Sequence, residues 1–295
     1  MKTSQLDLRG VYTALVTPFV RSGEAVDFAS LEKLIDFQLG AGVQGVVACG
    51  STGEAATLSP QEYVAVVRAV RERTRGACPC IAGVSASSTA VAAQAAKVAE
   101  ELGCDGLLVA APPYNKPSQA GLIEHFRAIA RAARIPLVAY NIPGRSGVGF
   151  STATIATLAH EGLIVGIKES SGSVDAVADA IAAVPERCHV LSGEDSLTLG
   201  VLAYGGTGVI SASANVLPRE FVSIVSAFSG GRVSEARQLQ LAILPKIRAL
   251  FVESNPVPVK TVLALKGIIA EPAVRLPLVP LSPASYQAVC AEFSG

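Results

Sequence analysis

The sequence predicts an α/β protein, a closed (β/α)8 TIM barrel with a C-terminal helical region, on three observations. Short β-branched apolar runs alternate with helically spaced apolar residues, eight such runs fall between Tyr12 and Ser211, and the alternation stops near Gly231. The expected strands are Tyr12–Val16, Gly45–Ala48, Cys80–Gly83, Gly106–Ala110, Pro136–Tyr140, Leu163–Lys168, His189–Ser192 and Gly208–Ser211. Each is short, apolar and bounded by turn residues, as a strand buried on both faces must be.

Between the strands, Phe28, Leu31, Leu34, Ile35 and Leu39 repeat at helical spacing. So do Val91, Ala95, Val98 and Leu102, and again Leu122, Phe126, Ile129 and Ala133. Ser59-Pro60-Gln61-Glu62 opens a helix, with serine as cap, proline at the first position and glutamate closing a capping box. Beyond Gly231, helices are expected over Val233–Glu253, Pro256–Gly267 and Ser282–Phe293, with a proline-rich connection at Glu271–Pro283. The expected division is therefore a catalytic barrel over 1–230 and a helical region over 231–295. A doubly wound open sheet is the competing architecture, since alternation alone does not count closure. No Gly-x-Gly-x-x-Gly turn follows the opening strand, which weakens its dinucleotide-binding form.

Half of the 295 residues are hydrophobic, and 24 basic side chains balance 24 acidic ones. That balance offers no electrostatic footprint for nucleic acid or an anionic membrane. No apolar run approaches the ~18 residues of a membrane span, and Met1–Gly10 lacks the apolar core of a signal peptide, so a cytoplasmic location is expected. The six cysteines match neither a zinc ribbon nor a redox pair and read as small core residues. The three histidines show no metal spacing, and no metal is expected.

The chemistry gathers where strands end, the rim that carries catalytic groups in such barrels. Lys168 closes the run Leu163–Lys168, immediately before Glu169-Ser170-Ser171-Gly172. A partly desolvated lysine is a candidate amine nucleophile, whereas a lysine reaching for solvent at a strand end is the structural alternative. Tyr140 ends the preceding strand at corresponding depth, where its phenol can give and take a proton or sit as a satisfied core tyrosine. Gly50-Ser51-Thr52-Gly53-Glu54 follows the second strand and offers hydroxyls and backbone N–H groups to an anion, or makes an ordinary turn. Tyr114 lies in the stiff loop Ala111–Pro117. Arg145, between glycine and serine, suits bidentate capture of a carboxylate or is a solvated charge. Glu194 and Asp195 read as helix-capping acids rather than catalysts. Amine, phenols, anion loop and arginine together suit imine chemistry on a keto acid. A Ser-His-Asp hydrolase would need a histidine at this rim, and none is placed there.

At Gly50–Glu54, Tyr140-Asn141-Ile142-Pro143, Ile167-Lys168-Glu169, Gly206–Ser211 and Asn255–Lys260, the sequence resembles the dihydrodipicolinate synthase/N-acetylneuraminate lyase family, the pyruvate-dependent class I aldolases. The resemblance runs from about Arg9 to Phe293 and implies the barrel fold. It further implies that Lys168 forms a Schiff base with pyruvate, that Ser51 and Thr52 hold the pyruvate carboxylate, and that Gly53 is a further substrate-binding residue. Tyr140 would shuttle protons, in a relay with Ser51 and with Tyr114 reaching across from a neighbouring subunit, while Gly193 and Ile210 would border the substrate. No cofactor is implied beyond the covalent imine through Lys168. Arg145 matches the arginine by which synthase members bind aspartate 4-semialdehyde, so pyruvate and that aldehyde are the implied partners, in lysine and diaminopimelate synthesis. A lyase acting on another 2-keto acid, as N-acetylneuraminate lyases do, is the alternative, and a homotetramer built from dimers is the implied assembly. One departure concerns regulation. Pro60, Tyr63, Val91 and Pro113 occupy positions where lysine-inhibited members carry histidines, a glutamate and a tyrosine, so weak or absent feedback inhibition is expected.

Overall fold

The computed structural model describes residues 6–293; of the N-terminal segment, Met1–Gln5 lie outside the described residues. Eight parallel strands close a barrel: β1 (Gly10–Ala14), β2 (Gly45–Ala48), β3 (Cys80–Val84), β4 (Gly106–Ala110), β5 (Leu137–Asn141), β6 (Gly166–Glu169), β7 (His189–Ser192) and β8 (Gly208–Ser211). β1 pairs with both β2 and β8, which closes the sheet and excludes the doubly wound alternative. Alternation along each strand sends Tyr12, Val47, Ile81, Leu108, Val138, Leu191 and Ile210 into the barrel, while Val46, Cys80, Leu107 and Val209 face the surrounding helices.

The eight expected strands are all present, and the ends differ where pairing rather than hydrophobicity decides them. β1 starts at Gly10 and stops at Ala14 instead of running over Tyr12–Val16. Gly10 pairs with Gly208, whereas the Val16 N–H leaves the ladder and donates to the Asn215 side chain at 3.1 Å. β6 takes up only Gly166–Lys168 of the expected Leu163–Lys168 run and extends one residue further, to Glu169, its last paired residue. β5 begins at Leu137, because Pro136 has no N–H to give the ladder. An unforeseen two-stranded hairpin, Phe19–Val20 with Ala25–Val26, lies between β1 and the first helix, Phe28–Gly40. The capping box forms as expected: the Ser59 Oγ accepts the Glu62 N–H at 3.2 Å, and Glu62 accepts the Ser59 N–H at 2.8 Å.

After Gly231 come helices Val233–Ala249, Val257–Leu265 and Pro283–Phe293, each shorter than its expected span. The first packs on the barrel helix Pro218–Ser229, and the last packs on the other two. Among the described residues no helix is long and apolar enough to cross a membrane. Four cysteines (49, 80, 104 and 188) are buried core residues, while Cys78 and Cys290 are partly exposed.

Candidate active site

Register places the reacting groups. Ala110, Tyr140, Lys168 and Leu191 are successive Cα partners across β4, β5, β6 and β7, so the phenol and the amine project into the barrel at one height. Lys168 is 4 % exposed and Tyr140 is 6 % exposed. The Lys168 Nζ lies 4.3 Å from the centroid of the Tyr140 ring. The lysine therefore does not reach for bulk water, and the surface alternative fails.

Gly193 makes room for that lysine. A Cβ there would stand 2.8 Å from both Lys168 Cγ and Cε, closer than real side chains approach. Its N–H donates to the Glu169 carbonyl at 2.7 Å, which locks the end of β7 to the end of β6. Ile210 is buried on β8 in the same interior cluster as Tyr140.

Ala110 of this layer also lines a cavity of about 320 Å³, together with Ser51, Glu54, Pro113, Arg145 and Asn255 among others; Lys168 and Tyr140 adjoin it rather than line it. Ser51 sits in the turn after β2, where the Gly53 carbonyl accepts the Thr17 hydroxyl at 2.7 Å. Thr52 is buried behind Ser51, and its Oγ1 accepts a hydrogen bond from the Asn255 Nδ2 at 2.9 Å. Arg145 lies on a short helical turn, Pro143–Ser146, and donates from Nη2 to the Asn255 carbonyl at 3.0 Å. That turn follows β5, whose Asn141 side chain donates to Glu169 at 2.6 Å and accepts the Phe150 N–H at 3.1 Å. The guanidinium is thus anchored through Nη2 on an exposed side chain, and its remaining N–H groups suit capture of a carboxylate.

Tyr114 is not brought into this group. It is 90 % exposed, on a backbone at φ 72°, a left-handed conformation unfavourable for a tyrosine. Among the described residues no hydrogen bond joins Ser51, Tyr140 and Tyr114. Asp195 differs from its expected capping role: it is buried, and its Oδ2 accepts the Ser213 N–H at 2.8 Å from beyond β8. Burial raises its pKa, against the hydrogen bonds from Ser213 and Ser211 and the attraction of Lys168. Glu194 caps the turn with its backbone only.

Three structural contributors were not assigned roles from the residues. Asn255 bridges Thr52 and Arg145 although it belongs to the C-terminal region. Glu54, in the left-handed region at φ 52°, forms a fully buried ion pair with Lys260. Lys260 also donates to the Ala273 carbonyl at 2.8 Å and sits 4.0 Å from the centroid of the Phe19 ring. Burial lowers this ammonium to about 8, with Glu54 pulling the other way and Arg275 adding to the shift. The only sequence trace of these contacts was that both ends lay in motifs shared with one family.

Residues 7–294 match the dihydrodipicolinate synthetase family. The chain belongs to that family. It is 46% identical over 283 residues to the 4-hydroxy-tetrahydrodipicolinate synthase of Pelobacter propionicus, covering 96% of this chain and 97% of that one. Among solved structures, the 4-hydroxy-tetrahydrodipicolinate synthase of Methylacidiphilum fumariolicum SolV superposes with TM-score 0.95 at 40% identity, covering 98% of this chain and 95% of that chain. The dihydrodipicolinate synthase of Acinetobacter baumannii, solved in complex with pyruvate, gives TM-score 0.93 at 37% identity, covering 98% and 99%.

Proposed function

We propose that this protein condenses pyruvate with L-aspartate 4-semialdehyde to 4-hydroxy-tetrahydrodipicolinate, through a Schiff base on Lys168, in lysine and diaminopimelate synthesis. The observation that carries the reading is the buried Lys168 amine, set 4.3 Å from the Tyr140 ring, in a layer that adjoins through Ala110 a cavity bearing Ser51 and Arg145. Family members named as 4-hydroxy-tetrahydrodipicolinate synthases at 46% identity favour it over the N-acetylneuraminate lyase reading.

In this scheme the Lys168 amine adds to C2 of pyruvate and water leaves, giving an imine. Loss of a C3 proton yields an enamine whose C3 attacks the aldehyde. Ser51 and Thr52 hold the pyruvate carboxylate, Gly53, Gly193 and Ile210 border the substrate, and Tyr140 moves the protons. Arg145 binds the carboxylate of the semialdehyde, which discriminates against a neutral sugar tail. The covalent imine replaces any cofactor. The exposure and strained backbone of Tyr114 fit a residue that serves a neighbouring subunit, in a homotetramer acting in the cytoplasm. Borohydride reduction in the presence of pyruvate, followed by peptide mapping, tests the reading. A pyruvyl adduct on Lys168 is expected, and an adduct elsewhere or none refutes it.

A further inference from the structure

Ser170 has no part in that scheme, yet it lies beside the reacting lysine. It follows Glu169 at the end of β6, and its N–H donates to the Asn141 carbonyl at 2.8 Å, which fixes its backbone. Its Oγ is buried and, among the described residues, has no hydrogen-bond partner. A buried hydroxyl left in this state is desolvated without compensation, so a partner that arrives with the reaction would recover what the resting protein forgoes.

The space above Gly193 locates the hydroxyl. A Cβ on Gly193 would stand 1.8 Å from Ser170 Oγ and 2.8 Å from Lys168 Cε, so the hydroxyl and the end of the lysine stem border one small gap. Tyr140 lies on the neighbouring strand β5, whereas Gly193 follows β7 on the opposite side of β6. The lysine side chain is therefore flanked by a phenol beside its amine and by an aliphatic hydroxyl beside the gap its stem borders.

We propose that Ser170 is a second catalytic hydroxyl, acting on the Lys168 nitrogen during carbinolamine formation and dehydration. The inference rests on the imine chemistry above. As the nitrogen adds to C2, a C–N bond forms and the carbonyl π pair moves to oxygen. The nitrogen must lose a proton and the oxygen must gain one. Ser170 Oγ accepts the N–H proton while its own proton passes to that oxygen, leaving serine unchanged and the carbinolamine neutral. In the next step the C–O bond breaks and the nitrogen lone pair closes the C=N bond; Ser170 gives its hydroxyl proton to the departing hydroxide, which leaves as water, and takes the remaining N–H proton in return, so the imine is neutral and serine is again unchanged.

Rapid-quench borohydride trapping with pyruvate, read by mass spectrometry, tests the proposal on the wild type and on Ser170→Ala. The wild type is expected to accumulate the adduct on Lys168, and the variant to reach the same adduct at least about tenfold more slowly. Its thermal midpoint should be unchanged or slightly raised, because the hydroxyl it loses has no partner. The pH dependence of the trapping rate should also change, which a packing effect alone would not produce. Equal trapping rates in the two proteins overturn the role of Ser170 and leave the imine reading intact. No adduct on Lys168 in the wild type overturns both.

Discussion

Replacing Lys260 by methionine removes the ammonium that pairs with Glu54 in the interior. Its side chain is 0 % exposed and that of Glu54 is 2 % exposed, so water does not enter when the ammonium is lost. Methionine is close in volume, which keeps cavity formation out of the result. Glu54 would retain the Arg275 N–H, at 3.0 Å, as partner for one carboxylate oxygen. Breaking a buried pair from one side costs about 3–5 kcal/mol, and the Arg275 N–H together with the attraction of its guanidinium for Glu54 places this case at the lower end. At about 2–4 °C per kcal/mol for a domain of this order, the midpoint should fall by roughly 10 °C. The double variant Lys260→Met/Glu54→Gln should recover at least about 2 kcal/mol of that loss, since neutral partners carry no such penalty. Equilibrium urea unfolding of the wild type, both single variants and the double variant closes the cycle. A loss below about 1 kcal/mol in Lys260→Met, or no recovery in the double variant, would refute the reasoning.

Arg145→Ala should raise the KM for the semialdehyde about 30-fold or more, corresponding to about 2 kcal/mol for a charge-assisted contact, with the KM for pyruvate far less affected; steady-state kinetics with each substrate varied checks the split. Gly193→Ala places a methyl group where Lys168 and Ser170 already stand, so borohydride trapping of pyruvate should be lost or severely slowed while circular dichroism remains native. Glu62, hydrogen-bonded by Arg275 and held at about 2 against 4.5 for a free glutamate, contributes stability above about pH 4.5 that disappears as pH falls towards 2. Its side chain is one-quarter exposed, so solvent screening limits that contribution to about 1 kcal/mol, and Glu62→Gln should flatten the acid limb of the stability profile by that amount. Millimolar lysine should leave the activity nearly unchanged, because Pro60, Tyr63 and Val91 offer no carboxylate to an ammonium; strong inhibition in a steady-state assay would refute this.

The barrel was legible because a strand buried on both faces writes itself as an apolar run, and eight such runs separated by helical spacing leave few architectures. Strand ends were less legible. Leu163–Val165 are as apolar as a strand, yet pairing begins at Gly166, and no local pattern distinguishes a lead-in from a ladder. Lys168 and Tyr140 could be found in the sequence because each interrupts the end of an apolar run, and strand register then does the rest. Asn255 and Lys260 could not be placed from local pattern. Their partners Thr52 and Glu54 lie 203 and 206 residues away, and an asparagine before a helix has an ordinary capping explanation. Ser170 was hidden for a different reason: it reads as turn chemistry, and only its missing partner beside Gly193 marks it out.

The Asn255 bridge limits how this scaffold can be re-engineered. One amide steadies Thr52, and the same residue's carbonyl holds Arg145, so both ends of the cavity take their spacing from a single point in the tail. The C-terminal helices are therefore not an exchangeable cassette. A transplanted tail that filled the same volume without an amide at this point would deliver a closed cylinder whose two anion grips had lost their common ruler.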